Sequence, residues 1–283
     1  MKDMFDLTGK TALITGGGGL LGKKHAEAII EYGGKAILAD YNLEKAKIVV
    51  NELNKKYDNN NCTADFLDVT DIDSINEVSD KYNVIDILIN NAAKNPKVVK
   101  GDSQKWFSAI ENNRYETMPK EYWDEGLEVI LTGNFLVTQV IINKMLNPIH
   151  KKNKKGGVIL NIASDLGVVA PDQRIYKKNK DETFEEQDVK PIFYSASKWA
   201  VIGMTKYLAT YFAGQNIRVN SLSPGGVYDN HPSDFVKNIS NLIPMNRMAN
   251  IDEYKGAIVF LCSDASTYMT GHNLIIDGGR TVW

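Results

Sequence analysis

A chain of 283 residues with 43% apolar and 24% charged side chains can bury a sizeable core, which excludes a disordered or fibrous protein. A formal net charge of -2 gives no global basic character, so neither nucleic acid nor an anionic membrane surface is an expected partner. Cys62 and Cys262 sit in unrelated contexts without the spacing of a zinc site or a disulfide framework, so reduced thiols in a cytoplasmic protein are expected. No signal peptide is read at the start, no segment is read as reaching the apolar length of a membrane span, and no internal repeat is found.

TALIT, ending at Thr15, reads as a short strand, and Gly16 to Gly19 follow it. In LLGKKHAEAIIEYG, Leu21, His25, Ala28, Ile29 and Tyr32 share one helix face, and Gly33-Gly34 end the helix. AILAD is a second strand closing on Asp40. Gly17-x-Gly19-x-x-Gly22 between strand and helix, with an acid about 20 residues on, fits a dinucleotide fingerprint. Four successive glycines also fit a plain flexible turn; the flanking elements favour the fingerprint. Without side chains such a turn lets backbone N–H groups approach a pyrophosphate at the helix N-terminus. Asp40 would accept hydrogen bonds from the adenosine ribose and repel a 2′-phosphate, so NAD is expected over NADP. Lys23 and Lys24 are basic and close to the turn, but a solvated helix face is the preferred reading for both.

NCTADFLDVTD carries a third strand, read as ending at Asp68-Val69, and IDSINEVSDKY a helix. VIDILINNAA is a nearly continuous apolar strand of the kind buried on both faces, ending in Asn90-Asn91-Ala92-Ala93. These small and amide residues suit close packing against a cofactor, or form a plain turn. Residues 94–120 are a polar excursion, followed by one long helix through EYWDEGLEVILTGNFLVTQVIINKML. GGVILNIAS is the next strand, with Ser164 at its end, and residues 171–191 are a charged excursion near the expected site mouth. NIRVNSLSPGGV is a strand and turn, residues 228–250 a lid with small helices, DEYKGAIVFLCS a helix and NLIIDGG a last strand. The alternation predicts an α/β fold: a single doubly wound Rossmann-type domain over residues 1–283, with a parallel sheet flanked by helices.

The stretch Tyr194-Ser195-Ala196-Ser197-Lys198 opens a helix marked by Ala200, Val201, Met204 and Leu208. Tyr194 and Lys198 lie four apart and share a face. An ammonium beside a phenol favours the phenolate, which can take a proton from an alcohol or return one to a carbonyl. The same spacing arises by chance, with the tyrosine in the core and the lysine in water.

The landmarks TGGGGLLG, Asp68-Val69, NNAA, NIASDLG, YSASK, IRVNSLSPGGV and TGHNLIIDGG stand in one order along nearly the whole chain. In this the sequence resembles the short-chain dehydrogenase/reductase family. Its GGGGLLGKKHAEAI and DGGRTVW segments are most similar to the flagellin-modification dehydrogenases of bacterial legionaminic acid biosynthesis. The resemblance implies that Ser164 hydrogen-bonds the substrate oxygen, Tyr194 is the acid/base, and Lys198 lowers its pKa and holds the nicotinamide ribose. It implies that Gly16, Gly19, Leu21 and Gly22 line the pyrophosphate turn, Asp40 holds the adenosine ribose, and Asp68 and Val69 hold the adenine. Asn91, Ala92 and Val227 would contact the rest of the cofactor, with Pro224-Gly225 beside the nicotinamide. Leu20 stands where the family has a glycine, and Ile130 where it has the relay asparagine. Asn134, one turn later, would substitute as a catalytic residue; a water, or a plain helix polar residue at 134, are the alternatives.

The implied reaction is NAD-dependent interconversion of a secondary alcohol and a ketone, on a sugar or sugar phosphate, in a homodimer or homotetramer. Lys94, Lys97, Lys100, Arg114, Arg174 and Arg247 lie in loops that can border the pocket and bind an anion, though solvated roles are favoured. Two competing readings are a 3-oxoacyl-type reductase, which Asp40 disfavours, and a catalytically silent NAD-binding regulatory protein.

Overall fold

The computed structural model describes residues 3–95, 113–146, 156–177, 179 and 181–283. Seven strands form one sheet in the order β3-β2-β1-β4-β5-β6-β7, every pair parallel. They are β1 Thr11–Thr15, β2 Lys35–Asp40, β3 Cys62–Phe66, β4 Ile87–Asn90, β5 Gly157–Ile162, β6 Ile217–Pro224 and β7 Asn273–Ile276. The helices are α1 Leu20–Glu31, α2 Leu43–Tyr57, α3 Ile72–Lys81, α4 Lys120–Leu127, α5 Gly133–Leu146, α6 Ile192–Phe212, α7 Ser233–Ser240 and α8 Lys255–Cys262. The doubly wound expectation holds. The chain builds outward from β1 to β3, then returns to lay β4 on the other side of β1, which opens a crevice at their carboxyl ends.

Alternate residues of each strand serve the two faces. Ala12, Ile14, Leu38, Ile87, Ile89, Leu160 and Leu222 pack with Ala26 and Ile29 of α1, Val49 and Leu53 of α2, and Ile258 and Leu261 of α8. Leu13, Ile37, Leu88, Ile159 and Val219 pack with Ile75 and Val78 of α3 and Val137 and Ile141 of α5. Burial on both faces is why these strands read as continuous apolar runs.

Four features differ from the sequence reading. Helix α2 is not assigned there: its buried stripe is only Ala46, Val49 and Leu53 among lysines and asparagines, and its start is set by Asn42, whose side chain accepts from the Lys45 N–H at 3.0 Å. Strand β3 stops at Phe66, and Asp68-Val69 lie beyond it because the Asp68 carboxylate turns to accept from the Thr70 N–H and hydroxyl. The long helix is broken by a π turn at Glu128–Thr132. On its two sides, Gly126 lies against the Phe193 ring and Gly133 against Val69, where a Cβ would come within 2.2 and 2.7 Å. Lastly, the whole run Lys120–Leu146 is long and apolar enough by length and composition to cross a membrane, which corrects the expectation that no segment reaches that length. Its apolar residues Val137, Ile141 and Met145 are buried in the core.

Most of the 94–120 excursion lies outside the described residues. The 171–191 excursion carries a short 3-10 turn, Gln173–Tyr176, and the 228–250 segment carries α7. Tyr176 stacks on Phe235 of α7 at 5.6 Å, so the two segments meet at the cleft mouth.

On α1, His25 is fully buried, and neither ring nitrogen has a hydrogen-bond partner among the described residues. Burial pushes its pKa down to about 3, below the ordinary 6.5. The unfolded chain therefore binds a proton that the folded chain refuses, and stability present above the ordinary value is lost as pH falls towards the folded one. His25→Leu is expected to remove this loss. In urea unfolding, the wild type should lose about 2–3 kcal/mol more than the variant between roughly pH 7 and 4.5.

Candidate active site

The carboxyl ends of the strands open into a cleft of about 1400 Å³. Its first end is built on the turn after β1. Gly16 has φ +62°, a conformation that favours glycine, and its N–H-bearing backbone lies against Ala92. At Gly22 a Cβ would stand 2.3 Å from the Gly16 carbonyl oxygen, so only glycine lets α1 start this close to β1. The Asn91 side chain donates to the carbonyls of Thr15 and Gly16 at 3.0 and 3.1 Å, and the Thr15 hydroxyl accepts from the N–H groups of Asn91 and Ala92. The turn is thus locked to the end of β4.

The Asp40 carboxylate caps β2. One oxygen accepts from the Gly18 N–H at 2.9 Å and the other from the Asn42 N–H at 2.8 Å, which fixes the acid at the cleft wall. Lys23 is paired to Glu52, and Lys24 to Glu27 and Asp252, so neither neutralises Asp40. Lys45, which the sequence reading does not single out, lines this end. Gly16, Gly19, Leu21, Asp40, Asp68, Val69, Asn91, Ala92, Pro224, Gly225 and Val227 all line the cleft; Gly22 supports it from behind. Leu20 lines it too, its side chain directed outward at 42% exposure, so the missing family glycine leaves the turn intact. A bare glycine turn, backbone N–H groups at a helix start and a fixed acid fit a dinucleotide.

At the other end β5 and α6 bring Ser164, Tyr194 and Lys198 together in the cleft. Lys198 Nζ donates to the Ile162 carbonyl at 2.7 Å and lies 5.8 Å from the Tyr194 ring centre. Burial, with the charge of Lys190, lowers Lys198 to about 7. Tyr194 departs from expectation: burial raises it to about 12, opposed by a hydrogen bond with Ser164 and reinforced by Asp165. Ser164 Oγ donates to Asp165 Oδ1 at 2.9 Å, and Asp165 Oδ2 is gripped by Arg280 Nη1 at 2.5 Å, both residues buried.

Asn134 is not brought to this group. It is buried on α5, away from the cleft lining, and accepts from the Thr138 hydroxyl at 3.4 Å. Thr138 accepts from Asn90, which also donates to Asn161, so Asn134 ends a buried polar chain under the sheet. Ile130 packs with Tyr122, Phe193 and Tyr194.

The loop cations are mostly engaged elsewhere. Arg114 stacks on Phe184, Arg174 pairs with Asp172 and Arg247 with Glu253; Lys94 lines the cleft but pairs with Glu125 at 2.6 Å. Lys97 and Lys100 lie outside the described residues. Besides Lys198, the cleft-lining cations on this side are Lys190, beside the Tyr194 ring, and Arg280, bound to Asp165, which the sequence reading missed. Lys190 carries one legible signal: it precedes Tyr194 by the same four residues by which Lys198 follows it. Arg280 carries none, since only folding brings the tail to β5.

Comparison with known proteins places the chain in a family. A short chain dehydrogenase family profile matches residues 10–177, and an enoyl-(acyl carrier protein) reductase profile residues 186–281. The chain is 32% identical to an NAD-dependent glycerol dehydrogenase of Listeria innocua, over 98% of this chain and 96% of that one. It is similar to the crystal structure of a short chain dehydrogenase from Leptospira borgpetersenii with bound NAD+, at 31% identity and TM-score 0.78, covering 99% and 96% of the two chains. It is also similar to a gluconate 5-dehydrogenase from Burkholderia cenocepacia in complex with NADP and tartrate, at 26% identity and TM-score 0.79, covering 99% and 98%.

Asp40→Ala removes the carboxylate and leaves Lys45 at that end. NAD affinity is expected to fall about tenfold and the preference over NADP to shrink or invert, read by calorimetric titration of both dinucleotides.

Proposed function

This chain belongs to the short-chain dehydrogenase family, and we propose that it is an NAD-dependent dehydrogenase interconverting a secondary alcohol and a ketone on a polyhydroxylated, sugar-type substrate. The observation that carries this reading is the convergence of Ser164, Tyr194 and Lys198 on one end of a cleft whose other end is a glycine turn closed by Asp40. Gly16, Gly19, Asp40, Asp68 and Asn91 would hold the dinucleotide, which supplies the hydride acceptor or donor when bound. With substrate bound, Ser164 Oγ turns its single O–H from Asp165 to the reacting oxygen, and Tyr194 takes the hydroxyl proton in oxidation or returns it in reduction. Lys198, anchored on the Ile162 carbonyl, stands beside the phenol, where its ammonium form favours the phenolate.

NAD is preferred because the Asp40 carboxylate is fixed at the cleft wall and meets no compensating lysine from α1. The same observation argues against a 3-oxoacyl-type reductase using NADP. A polyhydroxylated, sugar-type substrate is supported by the glycerol and gluconate dehydrogenases among the relatives. A finer assignment, to a sugar on the route to a flagellin nonulosonic acid, rests on the GGGGLLGKKHAEAI and DGGRTVW segments alone. Cytoplasmic placement is supported by two free, buried cysteines.

Association into a homodimer or homotetramer is supported by exposed apolar side chains on the long helices: Phe135 on α5, and Trp199, Tyr207 and Tyr211 on α6. Light scattering after size exclusion should give twice or four times the 31.6 kDa chain; a clean monomer refutes it.

Tyr194→Phe is expected to lower kcat about 10²–10⁴-fold with NAD affinity nearly unchanged. Because burial holds the phenol high, alcohol oxidation by the wild type should accelerate as pH rises from about 7 to 10, and ketone reduction should slow. Reduced-nicotinamide absorbance over a panel of polyols, aldonates and sugar phosphates reads both. Undiminished biological activity in Tyr194→Phe would establish the silent NAD-binding alternative instead.

A further inference from the structure

We infer that Asp165 and Arg280 are positioning residues for Ser164: a buried ion pair, completed by the tail that follows β7, fixes the direction of the serine hydroxyl and the charge it works against. The inference rests on the dehydrogenase reading and adds two residues behind its serine.

The geometry starts at the turn after β5. Ser164, Asp165 and Arg280 all line the cleft and are buried, at 7%, 4% and 8% exposure. The two carboxylate oxygens of Asp165 have separate tasks. Oδ1 accepts from Ser164 Oγ and from the Leu166 N–H, both at 2.9 Å. Oδ2 accepts from Arg280 Nη1 at 2.5 Å. Ser164 Oγ also accepts from the Leu166 N–H at 3.2 Å and hydrogen-bonds the Tyr194 side chain. Its single O–H is given to Asp165, so its lone pairs serve Leu166 and Tyr194. Asp165 therefore sets the hydroxyl rotor, and Arg280 holds Asp165.

Arg280 is itself aimed. The Asp277 carboxylate accepts from the Gly279 and Thr281 N–H groups, both at 2.8 Å, which closes a turn around Arg280. Gly278 and Gly279 have φ of +68° and +91°, a conformation that favours glycine. The Met245 N–H donates to the Gly278 carbonyl at 3.1 Å, and Trp283 Nε1 to the Leu242 carbonyl at 3.2 Å. The tail is thus tied down on both sides of the guanidinium.

An unpaired carboxylate beside Ser164 would hold the hydroxyl proton strongly and oppose negative charge growing on the Tyr194 oxygen. Arg280 shares the charge of Asp165, which frees the hydroxyl to turn to a substrate oxygen and the phenol to ionise. The other titratable groups facing this point are Lys190 and Lys198 beside the Tyr194 ring, Tyr176 from the 171–191 segment, and Tyr122 of α4 in the cluster around Tyr194. Tyr254 also feels Asp165, with its hydroxyl on the Gly225 carbonyl. Asp172 feels Arg280 but pairs with Arg174. Among the described residues, the carboxylate that acts on the phenol is Asp165.

The test reads the charge at position 164 without a substrate. Ser164→Cys puts a thiol on the cleft wall, whereas Cys62 and Cys262 are buried and burial pushes their thiols up to about 12. The rate of alkylation by iodoacetamide, located by mass spectrometry, is followed against pH with the native pair, with Arg280→Gln, with Asp165→Asn and with both. Arg280→Gln is expected to raise the midpoint by about one unit or more, Asp165→Asn to lower it, and the double variant to stay near the native pair. Arg280→Lys should stay within about half a unit of native. Lys190 and Lys198 titrate alike in every background and cancel. NAD affinity within about twofold reports folding. If Arg280→Gln, which leaves a buried charge alone, does not fold, Asp165→Asn against the double variant carries the comparison. Midpoints that do not move, or that move the same way in Asp165→Asn and Arg280→Gln, in proteins that bind NAD, overturn the inference.

Turnover is scored separately, with Ser164 in place and glycerol and gluconate as probes. Arg280→Gln should lower kcat about tenfold or more with KM little changed and move the oxidation pH profile upward, and Arg280→Lys should restore most of the rate. The expected alkylation shifts without turnover in any protein keep the control of position 164 and lose the dehydrogenase reading. Turnover that Arg280→Gln leaves unaltered, in kcat and in pH profile, keeps that reading and overturns the positioning role.

Discussion

The catalytic end depends on keeping three cations out of water: Lys190 and Lys198 beside the Tyr194 ring, and Arg280 on Asp165. Burying a charge costs several kcal/mol unless something nearby compensates it. Each cation here has its own compensation: Arg280 has the Asp165 carboxylate, Lys198 the Ile162 carbonyl, and Lys190 the Asn95 amide together with the face of the Tyr194 ring. These partners come from β5, the turn after it, the segment after β4 and the start of α6. The arrangement therefore exists only when the sheet is complete. It also explains why Tyr194 and Lys198 move in opposite directions from their ordinary pKa values: the same burial penalises a phenolate and an ammonium alike.

The other end of the cleft is governed by steric closeness rather than charge. Gly16, Gly22 and the Thr15 hydroxyl pack the β1–α1 turn against Asn91 and Ala92 so tightly that side chains are excluded. Asp40 then closes the turn through the Gly18 N–H. One end is a rigid backbone cradle and the other a compensated charge cluster. The strand order places both at the carboxyl edge, on the two sides of the β1–β4 crevice.

The helix interruption at Glu128–Thr132 links the two. Gly133 seats the run against Val69 on the cleft wall, and Gly126 seats it against Phe193, the neighbour of Tyr194. A continuous α-helix would rotate one of these contacts out of register, since the π turn adds a residue to one turn. Ile130 in that turn adds apolar packing around Tyr194 where the family has an asparagine.

The doubly wound fold, the glycine turn, Asp40 and the Tyr194–Lys198 pair were legible in the chain, because each depends on local periodicity or on short fixed spacing, whereas Ser164 joined them only through the family resemblance. The nearly continuous apolar run of β4 announced a sheet buried on both faces, and the four-residue spacing of Tyr194 and Lys198 placed both on one helix face. Helix α2 was not legible, because three buried residues among lysines and asparagines give a weak stripe. The π turn, the buried chain that holds Asn134, the approach of Lys190 to the Tyr194 ring and the pairing of Arg280 with Asp165 were decided by tertiary structure alone. Arg280 lies 115 residues from Asp165, and no local pattern specifies a pairing that only the closing of β7 onto β6 brings within reach. Which charges end up buried together depends on how distant segments pack, and that sets the electrostatics of this site.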